Sequence, residues 1–111
     1  MNRAMGLLGL CARAGKVQSG EQAAELAIRR RQAELVLLDG AASQATRKAF
    51  QDACAHYSIP IRLTDAEELG WAIGKPGRRV AVITDGKLAK KLAEMLPEPT
   101  EDGRPALIHN D

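Results

Sequence analysis

Two short runs, Leu35-Val36-Leu37-Leu38 and Val80-Ala81-Val82-Ile83, are apolar at every position. A strand with one wet face alternates apolar and polar residues, so unbroken runs of this length belong to strands covered on both sides. The covering must come from helices, because the segments around the two runs carry apolar residues at helical spacing. Only 3% of the 111 residues are aromatic although 45% are apolar. One core therefore has to be built from Ala, Leu, Val and Ile, which favours closely packed helices on a small sheet.

Local signals place the elements. Asn2 can cap a first helix in which Ala4, Leu7, Leu8, Cys11 and Ala12 share a face, and Gly15 ends it. Lys16-Val17-Gln18 leaves room for a very short strand. Ser19-Gly20-Glu21-Gln22 has the form of a capping box and predicts a helix running to about Arg31. Ser43 can cap a third helix with Ala45, Ala49, Ala53 and Cys54 inward, and 59–63 reads as another strand. Thr64 and Glu67 form a second capping box, opening a helix over 67–73. Asp85 caps the last helix, with Leu88, Leu92 and Leu96 inward. The alternation predicts an α/β fold: a three-layer α-β-α sandwich with a small mixed β-sheet. It spans 1–96 as a single domain. Residues 97–111, with Pro97, Pro99, Gly103 and Pro105, read as a flexible acidic tail.

The formal net charge of +2 hides an uneven distribution. Residues 1–96 hold fifteen Lys and Arg against ten Asp and Glu, whereas 97–111 hold Arg104 against four carboxylates. A basic body with an acidic tail points to a polyanionic partner, RNA above all. The scarcity of aromatics argues against binders that stack successive bases on aromatic platforms. No run approaches the roughly 18 apolar residues of a membrane span, so a cytoplasmic protein without a membrane partner is expected.

Several chemistries find no support. Gly9 and Gly15-Lys16 are separated by five residues where a phosphate-binding loop has four, and Val17 stands where its hydroxyl residue belongs. Gly70 and Gly74-Lys75 are separated by three. Cys11 and Cys54 lie far apart on apolar helix faces, His56 reads as a helix-surface residue, and His109 falls in the tail. No catalytic residues, metal ligands or cofactor are expected.

The remaining constellation concerns phosphate. Gly74 to Arg79 is a loop holding two glycines, Gly74 and Gly77, and three cations, Lys75, Arg78 and Arg79, anchored by a helix before it and a buried strand after it. The expected site joins this loop to Lys16, to the turn at 40–42, and to the helix start at Gly20, Glu21 and Gln22. A helix N-terminus offers free N–H groups to phosphate, and Gln22 offers a base edge both donor and acceptor. Blander roles compete at each position. Gln22 can close the capping box on Ser19, Arg79 can pair with a nearby carboxylate, and Lys75 and Arg78 can be solvated charges. Trp71 is expected to pack across the end of the sheet in preference to stacking on a base, and Arg29-Arg30-Arg31 to answer the dipole of a helix C-terminus, with contact to RNA as the alternative.

These residues carry a resemblance. Leu7-Leu8-Gly9-Leu10, Ala14-Gly15-Lys16, Ser19-Gly20-Glu21, Ala27-Ile28-Arg29, residues 34–38, Glu68-Leu69-Gly70-x-Ala72-x-Gly74-Lys75 and Val80-Ala81-Val82 resemble the kink-turn RNA-binding ribosomal protein superfamily, in particular its small bacterial YlxQ-like branch. The resemblance covers roughly 1–96, and its most specific part is the segment from Glu68 to Lys75. It implies an α-β-α sandwich that binds structured RNA, ribosomal or other, through the start of the second helix and the loop before the last strand. Kink-turn binders follow the helix-starting glycine with Asn or Lys, then Glu or Ser, and a Lys three positions on. This chain has Gln22, Ala23 and Leu26 there, which implies altered or relaxed specificity. The expected protein is a monomeric, non-catalytic RNA binder. The alternative is a protein-interaction adaptor on the same scaffold.

Overall fold

The computed structural model describes residues 2–100. Five helices and four strands follow in the order α1 (Arg3–Arg13), β1 (Val17–Ser19), α2 (Glu21–Arg29), β2 (Leu35–Asp39), α3 (Gln44–Tyr57), β3 (Ile61–Thr64), α4 (Glu68–Ile73), β4 (Val80–Ile83) and α5 (Gly86–Met95). The strands form one mixed sheet in the order β1-β4-β2-β3. β4 runs antiparallel to both β1 and β2, and β2 runs parallel to β3. Helices cover both faces, so the expected three-layer sandwich is the observed one.

The unbroken apolar runs now have their cause. Leu35 and Leu37 on β2, with Ala81 and Ile83 on β4, face α1, α4 and α5 through Leu8, Leu69 and Leu92. Val36, Leu38, Val80 and Val82 face the opposite way, onto α2 and α3 through Ala24, Ile28, Phe50 and Cys54. Each buried Val, Leu, Ile or Phe among them contributes about 1.5–3 kcal/mol by leaving water. The close contact of α1 with α4 depends on Gly9, where an added methyl would come 3.2 Å from the carbonyl oxygen of Ala72.

Asn2, Ser43 and Asp85 cap their helices as expected, accepting from the N–H groups of Met5, Thr46 and Leu88. Neither capping box forms. Ser19 lies in β1 opposite Ala81, and Gly20 takes the cap position of α2 with φ +97° and no side-chain cap. Thr64 lies in β3, and Glu67, at φ +71°, precedes α4 without capping it through its side chain. In both places the strand continues to the residue that would have capped, and the ladder uses its backbone first. The inward stripe of α3 also differs: Ala45 and Ala49 are exposed, and Phe50 and Cys54 are the buried residues.

Residues 97–100, read from sequence as the start of the tail, lie beside β3. Leu63 N–H donates to the Pro97 carbonyl at 3.0 Å, the Gln51 amide donates to the Thr100 carbonyl at 2.7 Å, and Arg62 lies 3.3 Å from the Glu98 carboxylate. The rest of the tail, including His109, lies outside the described residues.

Candidate nucleic-acid interface

The mixed sheet gives the molecule two ends. At one end β1 leads into α2, β2 into α3, β3 into α4, and the 74–79 loop enters β4. Gly20 donates its N–H to the Val80 carbonyl at 2.9 Å, and Asp39 donates to the Arg79 carbonyl at 2.9 Å. The start of α2, the turn after β2 and the 74–79 loop are thereby neighbours. The expected convergence holds for these three.

Gly70 shapes the loop. A methyl at position 70 would come 2.5 Å from the Lys75 carbonyl oxygen, 2.9 Å from the Gly77 nitrogen and 3.0 Å from the Pro76 α-carbon. The loop backbone therefore lies directly on α4, which only glycine permits. Lys75 N–H donates back to the Gly70 carbonyl at 2.8 Å. Pro76 and Gly77, the latter at φ +92°, then occupy the centre of a turn closed by Arg78 N–H on the Lys75 carbonyl at 3.3 Å. Pro followed by a positive-φ Gly is the type II pattern.

The turn delivers Arg78 to α2. Its Nη1 sits 2.9 Å from where a methyl on Gly20 would be. The first turn of α2 has no side-chain cap, so its N–H groups and the Arg78 guanidinium present positive charge to the same space. Gln22 is exposed beside it and takes no part in a capping box. Glu21 accepts from the Thr46 hydroxyl at 3.1 Å, tying α2 to the start of α3. Lys75 and Arg78 are exposed, and among the described residues neither has a carboxylate partner.

Two predicted residues behave differently. Arg79 forks onto Glu67, with Nη1 2.8 Å and Nη2 3.3 Å from its two carboxylate oxygens, and Nη1 is 3.9 Å from Asp39. The hydrogen bond to Glu67 and the charges of Glu67 and Asp39 raise its pKa further. Arg79 thus ties the loop to the start of α4, the blander of its two roles. Lys16 is at the opposite end of β1, where its carbonyl accepts from Thr84 N–H at 2.9 Å. The three-residue strand puts it four steps from Gly20, roughly 13 Å at strand rise. It does not join the constellation.

Asp39 carries no signal that sequence reasoning could use. Its fully buried carboxylate accepts from Ala41 N–H (2.9 Å), the Thr64 hydroxyl (3.0 Å), Glu67 N–H (2.8 Å) and Leu69 N–H (3.0 Å). It caps α4 from another strand, in place of the absent local box. Trp71 also departs from expectation. It is 76% exposed and borders a cleft of about 720 Å³ between α1 and α4, with Met5, Arg13 and Glu68 among its lining.

The sequence profile of the Ribosomal protein L7Ae/L30e/S12e/Gadd45 family matches residues 2–93. The chain belongs to this family. Within the family it is 43% identical over 91 residues to the RNA-binding protein YlxQ of Bacillus subtilis (strain 168), covering 81% of this chain and 91% of that protein. The RNA-binding protein YlxQ of Enterococcus faecium is 38% identical over 95 residues, covering 85% and 91%. These place the chain in the YlxQ-like branch of the family. A solved structure described as a protein with unknown function from Bacillus halodurans superposes with TM-score 0.82 at 35% identity, over 86% of this chain and 97% of that one. The Giardia lamblia 15.5kD RNA binding protein shares the fold, with TM-score 0.68 at 20% identity over 83% and 82%. Among the described residues no helix is long and apolar enough to cross a membrane.

Proposed function

We propose that this protein binds structured RNA, ribosomal or other, without catalysis, through the start of α2 and the 74–79 loop. One observation carries the reading: the uncapped first turn of α2 opens beneath the Arg78 guanidinium, with the free amide of Gln22 alongside. The N–H groups and Arg78 hold a phosphate, Lys75 a second, and Gln22 reads a base edge. Arg79 and Glu67 fix the loop. The names of the two YlxQ relatives support RNA as the partner. Ala23 lacks a hydrogen-bonding side chain and Leu26 lacks a cation, so the preference among RNAs differs from that of kink-turn binders. The protein works as a monomer in the cytoplasm.

Each phosphate contact contributes about 0.7–0.9 to the slope of log affinity against log salt. The double variant Lys75→Ala with Arg78→Ala should flatten that slope by about 1.5, whereas Gln22→Ala should change the ranking of RNAs at nearly constant slope. Equal affinity and equal slope for parent and double variant would remove the loop from the interface.

A second reading, a protein-interaction adaptor, draws on Trp71 and Leu10. Both are large apolar side chains left 76% and 55% exposed. A partner retained at full yield after nuclease treatment would favour it.

A further inference from the structure

The charge of the body sits at the wrong end for the interface just proposed. The four connections at that end (18–22, 39–47, 64–68 and 74–79) hold four cations against five carboxylates, a balance of −1. The four connections at the far end (14–17, 29–34, 57–60 and 84–87) hold Lys16, Arg29, Arg30, Arg31 and Lys87 against Glu34 and Asp85, a balance of +3. All five cations are exposed. Among the described residues only Arg29 has a carboxylate within 4 Å, Glu25 at 3.4 Å.

Chain geometry gathers them. Lys16 is bonded through its carbonyl to Thr84, and Glu34 N–H donates to the Ile83 carbonyl at 2.8 Å. The starts of β1 and β2 therefore flank the end of β4, each about 4.8 Å away. The Glu34 carboxyl carbon lies 3.9 Å from where a methyl on Gly86 would be, which sets Lys87 beside the same corner.

Helix stability explains only part of this clustering. Arg29 and Arg30 do answer the dipole at the end of α2. Lys87 is the second residue of α5, where the dipole opposes a cation, and that first turn holds no acidic residue. Arg31 takes φ +57°, a left-handed conformation that favours glycine, and its guanidinium rests 5.6 Å from the centre of the Tyr57 ring.

We infer that the far end is a second RNA contact, in which Lys16, Arg30, Arg31 and Lys87 grip the phosphate backbone of a further segment of the bound RNA. The inference rests on the reading of the protein as an RNA binder. It adds a sequence-independent contact to the sequence-sensitive one at the start of α2, so the RNA is held at both ends of the sheet. Lys16, absent from the first constellation, belongs to this one.

The test uses the full chain and a structured RNA longer than the 41 Å long axis of the protein. The triple variant Lys16→Ala, Arg30→Ala, Lys87→Ala should flatten the salt slope by about 2 and weaken binding roughly 50-fold at physiological salt. The charge-keeping triple Lys16→Arg, Arg30→Lys, Lys87→Arg should bind like the parent, which separates loss of charge from loss of fold. If the parent binds and the alanine triple keeps its slope and affinity, the far-end contact is refuted while the site at α2 stands. If the far-end triple loses affinity and the Lys75/Arg78 double variant does not, the far end is upheld and the α2 site fails. A parent that binds no structured RNA refutes both. Vesicles of phosphatidylcholine and phosphatidylserine are the control surface: binding there, with RNA affinity unchanged in the triple, overturns the inference in favour of a membrane.

Discussion

Asp39 offers the most demanding test of the structure, because one carboxylate organises the end of the sheet where the α2 site lies. Asp39→Ala removes acceptors from four donors at 2.8–3.0 Å. Hydrogen bonds to a charged group contribute about 1.5–3 kcal/mol each, but four that share one acceptor do not add. Ala41 and Glu67 lie nearer solvent and can recover water, and the Thr64 hydroxyl has the Asp65 carbonyl at 3.3 Å as a substitute. Leu69 is fully buried, and its N–H has nowhere to turn. Arg79 keeps Glu67 and is not orphaned. The expected cost is about 3–5 kcal/mol, the range for breaking a buried charged contact. That is a large share of the 5–15 kcal/mol a domain of this size possesses, and about 15–25 °C in melting temperature. Asp39→Asn nearly preserves shape but turns an NH2 group toward two of the four donors, so it should fall within about 1 kcal/mol of the Ala variant. Urea unfolding of both variants decides the matter. If the Asn variant is as stable as the parent, the carboxylate is not the cap of α4 and the reasoning fails.

Two further substitutions probe the loop and the core. Gly70→Ala forces a methyl into loop backbone that cannot yield cheaply, so it should cost about 1–3 kcal/mol in urea unfolding and flatten the RNA salt slope by moving Arg78 off α2. A stable Gly70→Ala protein with unchanged RNA binding would show that the loop need not lie on α4. Burial pushes the Cys54 thiol from 9.0 up to about 12, so the folded state holds its proton where the unfolded chain has lost it. This stabilisation is whole below pH 9 and is lost as pH rises toward 12, at about 1.4 kcal/mol per pH unit. Cys54→Ala should remove that part of the alkaline slope, and identical slopes in parent and variant would refute it.

The sequence made the frame legible because the frame depends on short-range signals. Runs of apolar residues, three side-chain caps and the spacing of Leu88 and Leu92 each speak for their own segment, and all survive. The two capping boxes are local signals too, yet they lost. Ser19 and Thr64 sit where a strand has its last ladder bonds, and strand pairing is decided by residues some 60 and 25 positions away, Ala81 and Asp39. Trp71 misled because an indole is usually assigned to a core, while this core is already closed by Leu69 on the neighbouring face of the same short helix.

The site divides along the same line. Gly74 and Gly77 announced a loop with unusual backbone, and both take positive φ, whereas the close approach at Gly70 had no such signal. What the loop rests on was hidden: Asp39 gives no periodic signal, and its donors Thr64, Glu67 and Leu69 lie 25 to 30 residues away. Charge was legible as an amount but not as a direction. Lys16 and Gly20 lie at opposite ends of a three-residue strand because β1 runs between them. With them the cations divide. One arginine, Arg79, is spent on internal carboxylates, two cations are left at the start of α2, and at the far end four cations have no carboxylate partner among the described residues. An RNA touching only the α2 end would meet connections that, with Asp39 buried, offer no net positive charge. The affinity a phosphate backbone can supply therefore depends on whether the chain also turns its other end toward it.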